Sequence, residues 1–155
     1  MKLVDLVFGR RPAPSAPAPL DVIDRAPAGV WWREVRPRPN GGVRACKATQ
    51  DGVLETDRGA QRYAAGRHYV VTHSDGDAFL VRADVFESTY RPMGDGRFAK
   101  RTDIVLRYFT LNRAVTVRML EGLERAEAGD WIMEGRLGEL WPIDPDKAHT
   151  LYTHL

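Results

Sequence analysis

Apolar and polar residues alternate along several short runs of this chain, and turns rich in glycine and aspartate separate the runs. The clearest example is a hairpin in which residues 68–72 and 78–81 flank a Ser-Asp-Gly turn at 74–76. A short turn of this chemistry between β-branched runs is a strong hairpin signal. A second hairpin of similar form is predicted over residues 131–141. The pattern therefore predicts a chain made mainly of antiparallel strands.

Further strands are predicted where β-branched and aromatic residues gather between turns, at 30–35, 43–47, 53–56, 104–110 and 115–120. A continuous helix over residues 113–128 competes with the last of these. Its β-branched beginning and Gly122 inside it both disfavour a helix. We therefore favour the strand at 115–120 over the helix.

Two short helices are predicted to follow the two hairpins. Asp84 begins a capping-box pattern, so one helix should run from there to about Tyr90. Asp144 and Pro145 supply a cap and a proline in the first turn, so a second helix should end near Leu151.

The second half of the chain repeats the first at glycines, turns and apolar positions. When the two halves are aligned, the first block matches Gly59, Arg62, Ala65 and Gly66 with Gly122, Arg125, Ala128 and Gly129. After a shift of one residue, the second block matches Gly76, Asp77, Phe79, Val81, Asp84 and Tyr90 with Gly138, Glu139, Trp141, Ile143, Asp146 and Tyr152. Backbone geometry limits the choice of residue at such positions, so their repetition is informative. The expected fold is α+β, mainly antiparallel β, with two tandem small sheet-plus-short-helix modules packed together.

The repeat also sets the expected domain boundaries. Residues 1–20 form a flexible N-terminal segment with a proline- and alanine-rich linker, and residues 21–92 form the first module. Residues 93–103 connect it to the second module, residues 104–155. Each module has few apolar residues, so the two should pack together and bury their aromatic faces.

Three segments of the second half resemble a known family. They are residues 128–132 (Ala-Gly-Asp-Trp-Ile), residues 138–143 (Gly-Glu-Leu-Trp-Pro-Ile) and Tyr152. This arrangement resembles the PGDYG-type proteins of bacteria and phages, over about 25 residues in each copy. The family has no established activity, so the resemblance implies an architecture and no chemistry.

The match to this family is incomplete. The first copy keeps Gly66 and the Gly-Asp-x-Phe segment at 76–79, but Arg67 stands where the family has aspartate. The second copy has Ala128 in place of the family's proline and Ala148 in place of its helical phenylalanine. The first copy therefore resembles a degenerate form of the same module.

Composition and charge narrow the classes of function. The net charge is +2, and acidic and basic residues are interspersed. Most basic residues are arginines, which suit phosphate recognition, but no element concentrates them. A role with nucleic acid is therefore unsupported, although it stays open.

The chain offers no membrane span and no disulfide. No apolar run approaches the roughly 20 residues that a membrane helix needs, and the apolar stretch at residues 3–8 is too short for a secretory signal. Cys46 is the single cysteine and lies in a predicted strand, so we expect a small buried hydrophobic residue there. A cytoplasmic protein is expected.

Candidate binding residues lie on the two hairpins: Asp77 and Phe79 in the first copy, and Asp130, Trp131, Glu139 and Trp141 in the second. Turn or helix capping explains most of the acidic residues. Glu139 and its counterpart Asp77 lie between apolar strand residues, so an ion pair with Arg107 or Arg118, or with Arg44 in the first copy, is expected. Such a pair fits either a structural bridge or a ligand clamp.

No catalytic residue, metal or cofactor is predicted. The histidines are spaced five apart, at 68 and 73 and at 149 and 154, rather than at the four-residue step of a helical metal site. We expect a non-enzymatic binding or adaptor protein, whose apolar segment at residues 3–8 binds a protein partner. One alternative is a nucleic-acid-associated protein of phage or mobile-element origin that uses scattered arginines with Trp131 or Trp141. Another is a small-molecule enzyme with Glu139 as base in a cleft between the modules.

Overall fold

The computed structural model describes residues 18–39, 41–56 and 59–155, and these residues are nearly all-β. They form fifteen strands in four sheets and two helices of seven residues each. The elements are β1 (Val22–Ile23), β2 (Arg33–Pro37), β3 (Val43–Lys47), β4 (Gly52–Thr56), β5 (Gly59–Tyr63), β6 (His68–Thr72), β7 (Ala78–Arg82), α1 (Ala83–Thr89), β8 (Tyr90–Gly94), β9 (Arg97–Lys100), β10 (Leu106–Phe109), β11 (Val115–Arg118), β12 (Leu123–Ala126), β13 (Trp131–Glu134), β14 (Leu140–Ile143), α2 (Pro145–Leu151) and β15 (Tyr152–His154).

The expected α+β class is therefore wrong. Six segments for which the sequence pattern predicts no strand are strands: β1, β5, β8, β9, β12 and β15. They were missed because they are short and, apart from Val22, Ile23 and Thr153, carry no β-branched residue, so their extended form depends on pairing with a partner strand. Residues 113–128 do not form the competing helix: the strand predicted at 115–120 is β11, and β12 follows it.

Two five-stranded sheets have the same strand order. The first is β7-β6-β3-β9-β8, and the second is β14-β13-β10-β2-β15. The registers also correspond, because Val43 pairs with Phe98 in the first sheet and Leu106 pairs with Val35 in the second. Two hairpins, β4-β5 and β11-β12, occupy matching places, and β11 also pairs in parallel with β1. The two halves of the chain thus repeat the same topology and register.

The first strand of each repeat lies in the sheet of the other repeat. Strand β2 precedes β3 in the chain but lies between β10 and β15, whereas β9 precedes β10 but lies between β3 and β8. The same number of residues separates β2 from β3 and β9 from β10, so β2 and β9 are equivalent. We call this arrangement the strand exchange. Residues 93–103, predicted as a connector, include β9.

A matching turn precedes the long hairpin in each half and locates the one-residue slip of the repeat. Gly66 N donates to Ala48 O over 2.8 Å, and Gly129 N donates to Leu111 O over 2.9 Å. Both glycines have positive φ, at 72° and 87°, which explains why glycine repeats there. His68 is the extra residue, since the ladders match again from the next position onward.

The two halves fill their cores with different residues at matched positions. Each half uses two stacked rings and one alanine: Ala45, Tyr69 and Phe86 in the first, Tyr108, Trp131 and Ala148 in the second. Tyr69 and Phe86 have ring centroids 4.1 Å apart, and Tyr108 and Trp131 are 3.8 Å apart. The ring that helix α1 supplies in the first half is supplied by strand β10 in the second.

The helix predictions are half right. Asp144 caps α2 by accepting hydrogen bonds from Asp146 N and Lys147 N at 2.9 and 3.2 Å, as predicted. The N-cap of helix α1 is Arg82, two residues before the predicted cap, so Asp84 lies in the first turn of the helix and does not cap it. Asp84 instead forms an ion pair with the Arg82 guanidinium at 2.6 Å.

Cys46 is exposed, contrary to the expectation that it is buried. Side chains alternate between the two faces of β3, and Val43 and Ala45 contact the core cluster of the first half. Cys46 therefore lies on the opposite face. The hydrophobicity of the segment alone does not decide which face is covered.

Candidate ligand-binding cavity

A cavity of about 730 Å³ lies at the seam between the two halves. Strands β7 and β14, helices α1 and α2, and the first residues of β8 and β15 contribute to its wall. Much of the apolar wall consists of matched pairs: Val43 and Leu106, Phe79 and Trp141, Val81 and Ile143, Tyr90 and Tyr152. The duplicated scaffold therefore supplies similar apolar surface from both sides.

The basic and histidine side chains on the wall break this symmetry. Four of these side chains have an uncharged residue at the equivalent position of the other half. The pairs are Lys100 and Pro37, His73 and Gly135, Arg136 and Ser74, and Lys147 and Val85. The apolar wall is thus repeated, whereas its positive charges are not.

Lys100 lies inside a group of three aromatic rings. Its Nζ donates a hydrogen bond to the Tyr152 hydroxyl over 2.8 Å. The same Nζ lies 5.7, 5.4 and 5.1 Å from the ring centroids of Tyr90, Trp141 and Tyr152. Burial raises the pKa of Tyr152 and of Tyr90, so both phenols are neutral at pH 7. We call Lys100 with these rings the lysine cage.

A second lysine and a histidine lie near the lysine cage. Lys147 Nζ forms ion pairs with Asp77 at 2.6 Å and with Asp75 at 3.4 Å. His73 stacks on Phe79 with centroids 4.9 Å apart. Burial, and then the charge of Lys147, lower the pKa of His73 to about 4, so its ring is neutral at pH 7.

The side of the cavity next to the β4-β5 and β11-β12 hairpins carries acidic residues. Burial raises the pKa of Glu121 to about 7, and its carboxylate accepts a hydrogen bond from Arg82 N over 3.2 Å. Gln61 is 2% exposed and donates from Nε2 to Glu124 over 2.9 Å. In the described part of the chain, Gln61 Oε1 has no hydrogen-bond partner.

The structure brings four of the six sequence-predicted binding residues to this wall: Asp77, Phe79, Glu139 and Trp141. The other two lie elsewhere. Asp130 is buried in a turn, where its carboxylate accepts from Glu127 N over 2.9 Å, and Trp131 is buried in the core.

Glu139 and Asp77 do not form the ion pairs that the sequence predicts. Glu139 accepts a hydrogen bond from Leu137 N over 2.9 Å within its own hairpin turn. Arg107, its expected partner, instead pairs with Glu134 at 2.7 Å. Asp77 pairs with Lys147 rather than with Arg44. The Glu139 carboxylate therefore stabilises a turn.

Sequence reasoning missed Lys100, Lys147, His73 and Glu121. Tyr90 and Tyr152 were the available signal, because a tyrosine repeats at the end of each helix. Lys100 faces Tyr90 across β8 and β9, but its amine contacts rings of the second half. No local motif predicts such a contact.

Among the described residues no group of three or more His, Cys, Asp or Glu side chains is arranged to hold a metal ion. Neither described helix is long and apolar enough to cross a membrane. Comparison with known proteins returned no matching family model, no similar curated protein and no similar solved structure.

Proposed function

We propose that this chain is a non-enzymatic binding protein that holds a small molecule in the seam cavity. The observation that carries the proposal is a cavity of about 730 Å³ with aromatic and aliphatic walls from both halves and a few convergent polar groups. Small-molecule sites have volumes of roughly 300–1,000 Å³ and this kind of lining.

The two alternative functions have less support. The enzyme alternative relied on Glu139 as base, and its carboxylate is engaged by a backbone N–H of its own turn. The nucleic-acid alternative relied on scattered arginines together with Trp131 or Trp141. Several arginines pair with nearby carboxylates: Arg82 with Asp84, Arg101 with Asp103, Arg107 with Glu134, Arg113 with Asp21, Arg125 with Glu127. Trp131 is 4% exposed, so its faces are not accessible to bases.

The proposed protein partner stays a separate prediction. The apolar segment at residues 3–8 lies outside the described residues. Residues 11–17, which make up most of the proline- and alanine-rich linker, also lie outside them. A cytoplasmic location is part of the proposal, because the thiol of Cys46 is free and exposed, which suits a reducing compartment.

Filling the cavity is expected to abolish ligand binding. Val85 on α1 is half-buried and lines the cavity, so Val85→Trp places an indole in it. Ser88→Trp is the matched control, because Ser88 is on the same helix, is exposed and lies outside the cavity wall. Thermal unfolding is measured for both variants and the wild-type chain with a panel of neutral and charged aromatic compounds.

At a ligand concentration 100 times its Kd, we expect an increase in Tm of about 5–10 °C for the wild type and for Ser88→Trp. Val85→Trp should show no such increase. A panel in which no compound raises the wild-type Tm, or in which Val85→Trp responds as the wild type does, would contradict the proposed function.

A further inference from the structure

The lysine cage indicates which class of small molecule the seam cavity takes, and this inference rests on the proposed function. We propose that the ligand is an organic monoanion, a carboxylate on a flat apolar body, whose carboxylate binds the Lys100 ammonium. The body then lies against the rings of Tyr90, Tyr152 and Trp141.

Lys100 has unused capacity for an anion. An ammonium carries three N–H donors, and one of them is used by the Tyr152 hydroxyl. No carboxylate of the described residues forms an ion pair with Lys100, which is only partly exposed. Ring faces compensate part of the lost hydration, but a partly buried charge is satisfied best by a hydrogen-bonded counterion. A ligand carboxylate supplies that counterion.

Nearby charges favour a single negative charge on the ligand. Lys147, the other lysine near His73, is already paired with Asp77 and Asp75. Lys100 is therefore the lysine of this part of the wall that pairs with no carboxylate of the described residues. Acidic residues line much of the remaining wall: Glu55, Glu121, Glu124 and Glu139. These residues repel a dianion such as a phosphate monoester about twice as strongly as a monocarboxylate, and the single charge of Lys100 balances a monocarboxylate.

The aromatic side chains of the apolar wall favour a ligand with a flat ring system. Phe79 and Trp141, the matched aromatic pair, line the cavity together with the two tyrosines. The phenols are neutral and the indole is apolar, so a ring system loses no hydrogen bond when it packs against them. Both halves of the duplicated scaffold thus contact the body, and Lys100 orients it.

The test compares ligands that differ only in charge. Affinities of the full chain for 2-naphthoate, 2-naphthamide and 2-naphthyl phosphate are measured by isothermal titration. Three variants are measured in parallel: Lys100→Met keeps the stem without the charge, Lys100→Arg keeps the charge, and Lys47→Met removes an exposed lysine outside the cavity wall.

We expect the wild type and Lys47→Met to bind the carboxylate about 10-fold or more tightly than the amide, and more tightly than the phosphate. Lys100→Met should lose this preference and keep its affinity for the amide, and Lys100→Arg should restore it in part. A purely structural role of Lys100, as a link between the sheets, would lower all three affinities together.

The failures of the two proposals are distinguishable. If the amide binds as tightly as the carboxylate, or the phosphate binds most tightly, the monoanion assignment is wrong while the cavity still binds. If none of the three naphthyl compounds binds and no compound of the thermal-unfolding panel raises the Tm, the proposed function is wrong. The preference of the wild-type chain needs no variant, so the test stands even if Lys100→Met does not fold.

Discussion

Deleting residues 1–39 is expected to unfold the second half of the chain, because the deletion removes β2. This strand lies between β10 and β15, so β15 would lose its ladder partner and β10 would keep only β13. Its Val35 is fully buried in the core cluster of that half. The loss exceeds what a domain with a typical free energy of unfolding of about 5–15 kcal/mol tolerates. We expect the tryptophan emission of residues 131 and 141 to shift to that of the unfolded chain.

The control for this truncation is a deletion of residues 1–19, which removes none of the described strands. It should leave the thermal transition unmoved. A peptide of residues 18–39 added to the longer truncation should restore the native emission, whereas the same peptide with Val35→Asp should not. Native emission from residues 40–155 alone would contradict the strand exchange.

Phe86→Ala is expected to lower the free energy of unfolding by about 3–5 kcal/mol. The Phe86 ring is 1% exposed and lies between Tyr69 and Tyr90, with centroids 4.1 and 4.5 Å away. Its edge also meets Phe98 at 5.0 Å. Removing the ring leaves a cavity at the centre of the first core. Urea unfolding of the variant and the wild type measures the difference.

A second substitution tests why the matched residue Ala148 is tolerated. In the second half, Tyr108 supplies the ring that α1 supplies in the first, and Ala45 is its counterpart. Adding Ala45→Tyr to Phe86→Ala should therefore recover more than about 1 kcal/mol. Ala45→Tyr alone should destabilise the chain by about 1–3 kcal/mol through overpacking. Additive losses in the double variant would show that the two halves do not share this packing plan.

The repeated elements were predictable because turns constrain sequence locally. Positive φ fixes glycine at 66 and 129, and the cap at Asp144 uses a side chain next to the helix that it begins. The strand exchange was not predictable in this way. The pattern of Arg97–Lys100 is compatible with a strand, but one of its two partners, β3, lies far earlier in the chain, and that pairing decides its place.

The candidate site was predictable only in part, for the same reason. Phe79 and Trp141 repeat on equivalent strands and were predicted as binding residues, and both line the cavity. Trp131 has the same composition signal as Trp141, yet it packs on Tyr108 in the core. Lys100 is a site residue because its amine contacts rings on three separate elements, β8, β14 and β15, and only the folded chain brings these rings together.

Selective disulfide formation tests the strand exchange most directly. In a Cys46→Ser background, Arg36→Cys is combined either with Thr153→Cys or with Arg91→Cys. Arg36 pairs with Thr153 across β2 and β15, whereas Arg91, the counterpart of Thr153, pairs with Ala99. All three substituted side chains are exposed. After mild oxidation, non-reducing electrophoresis should show a closed loop for the pair at 36 and 153 and none for the pair at 36 and 91. The reverse result would place β2 in the sheet of its own repeat and contradict the account.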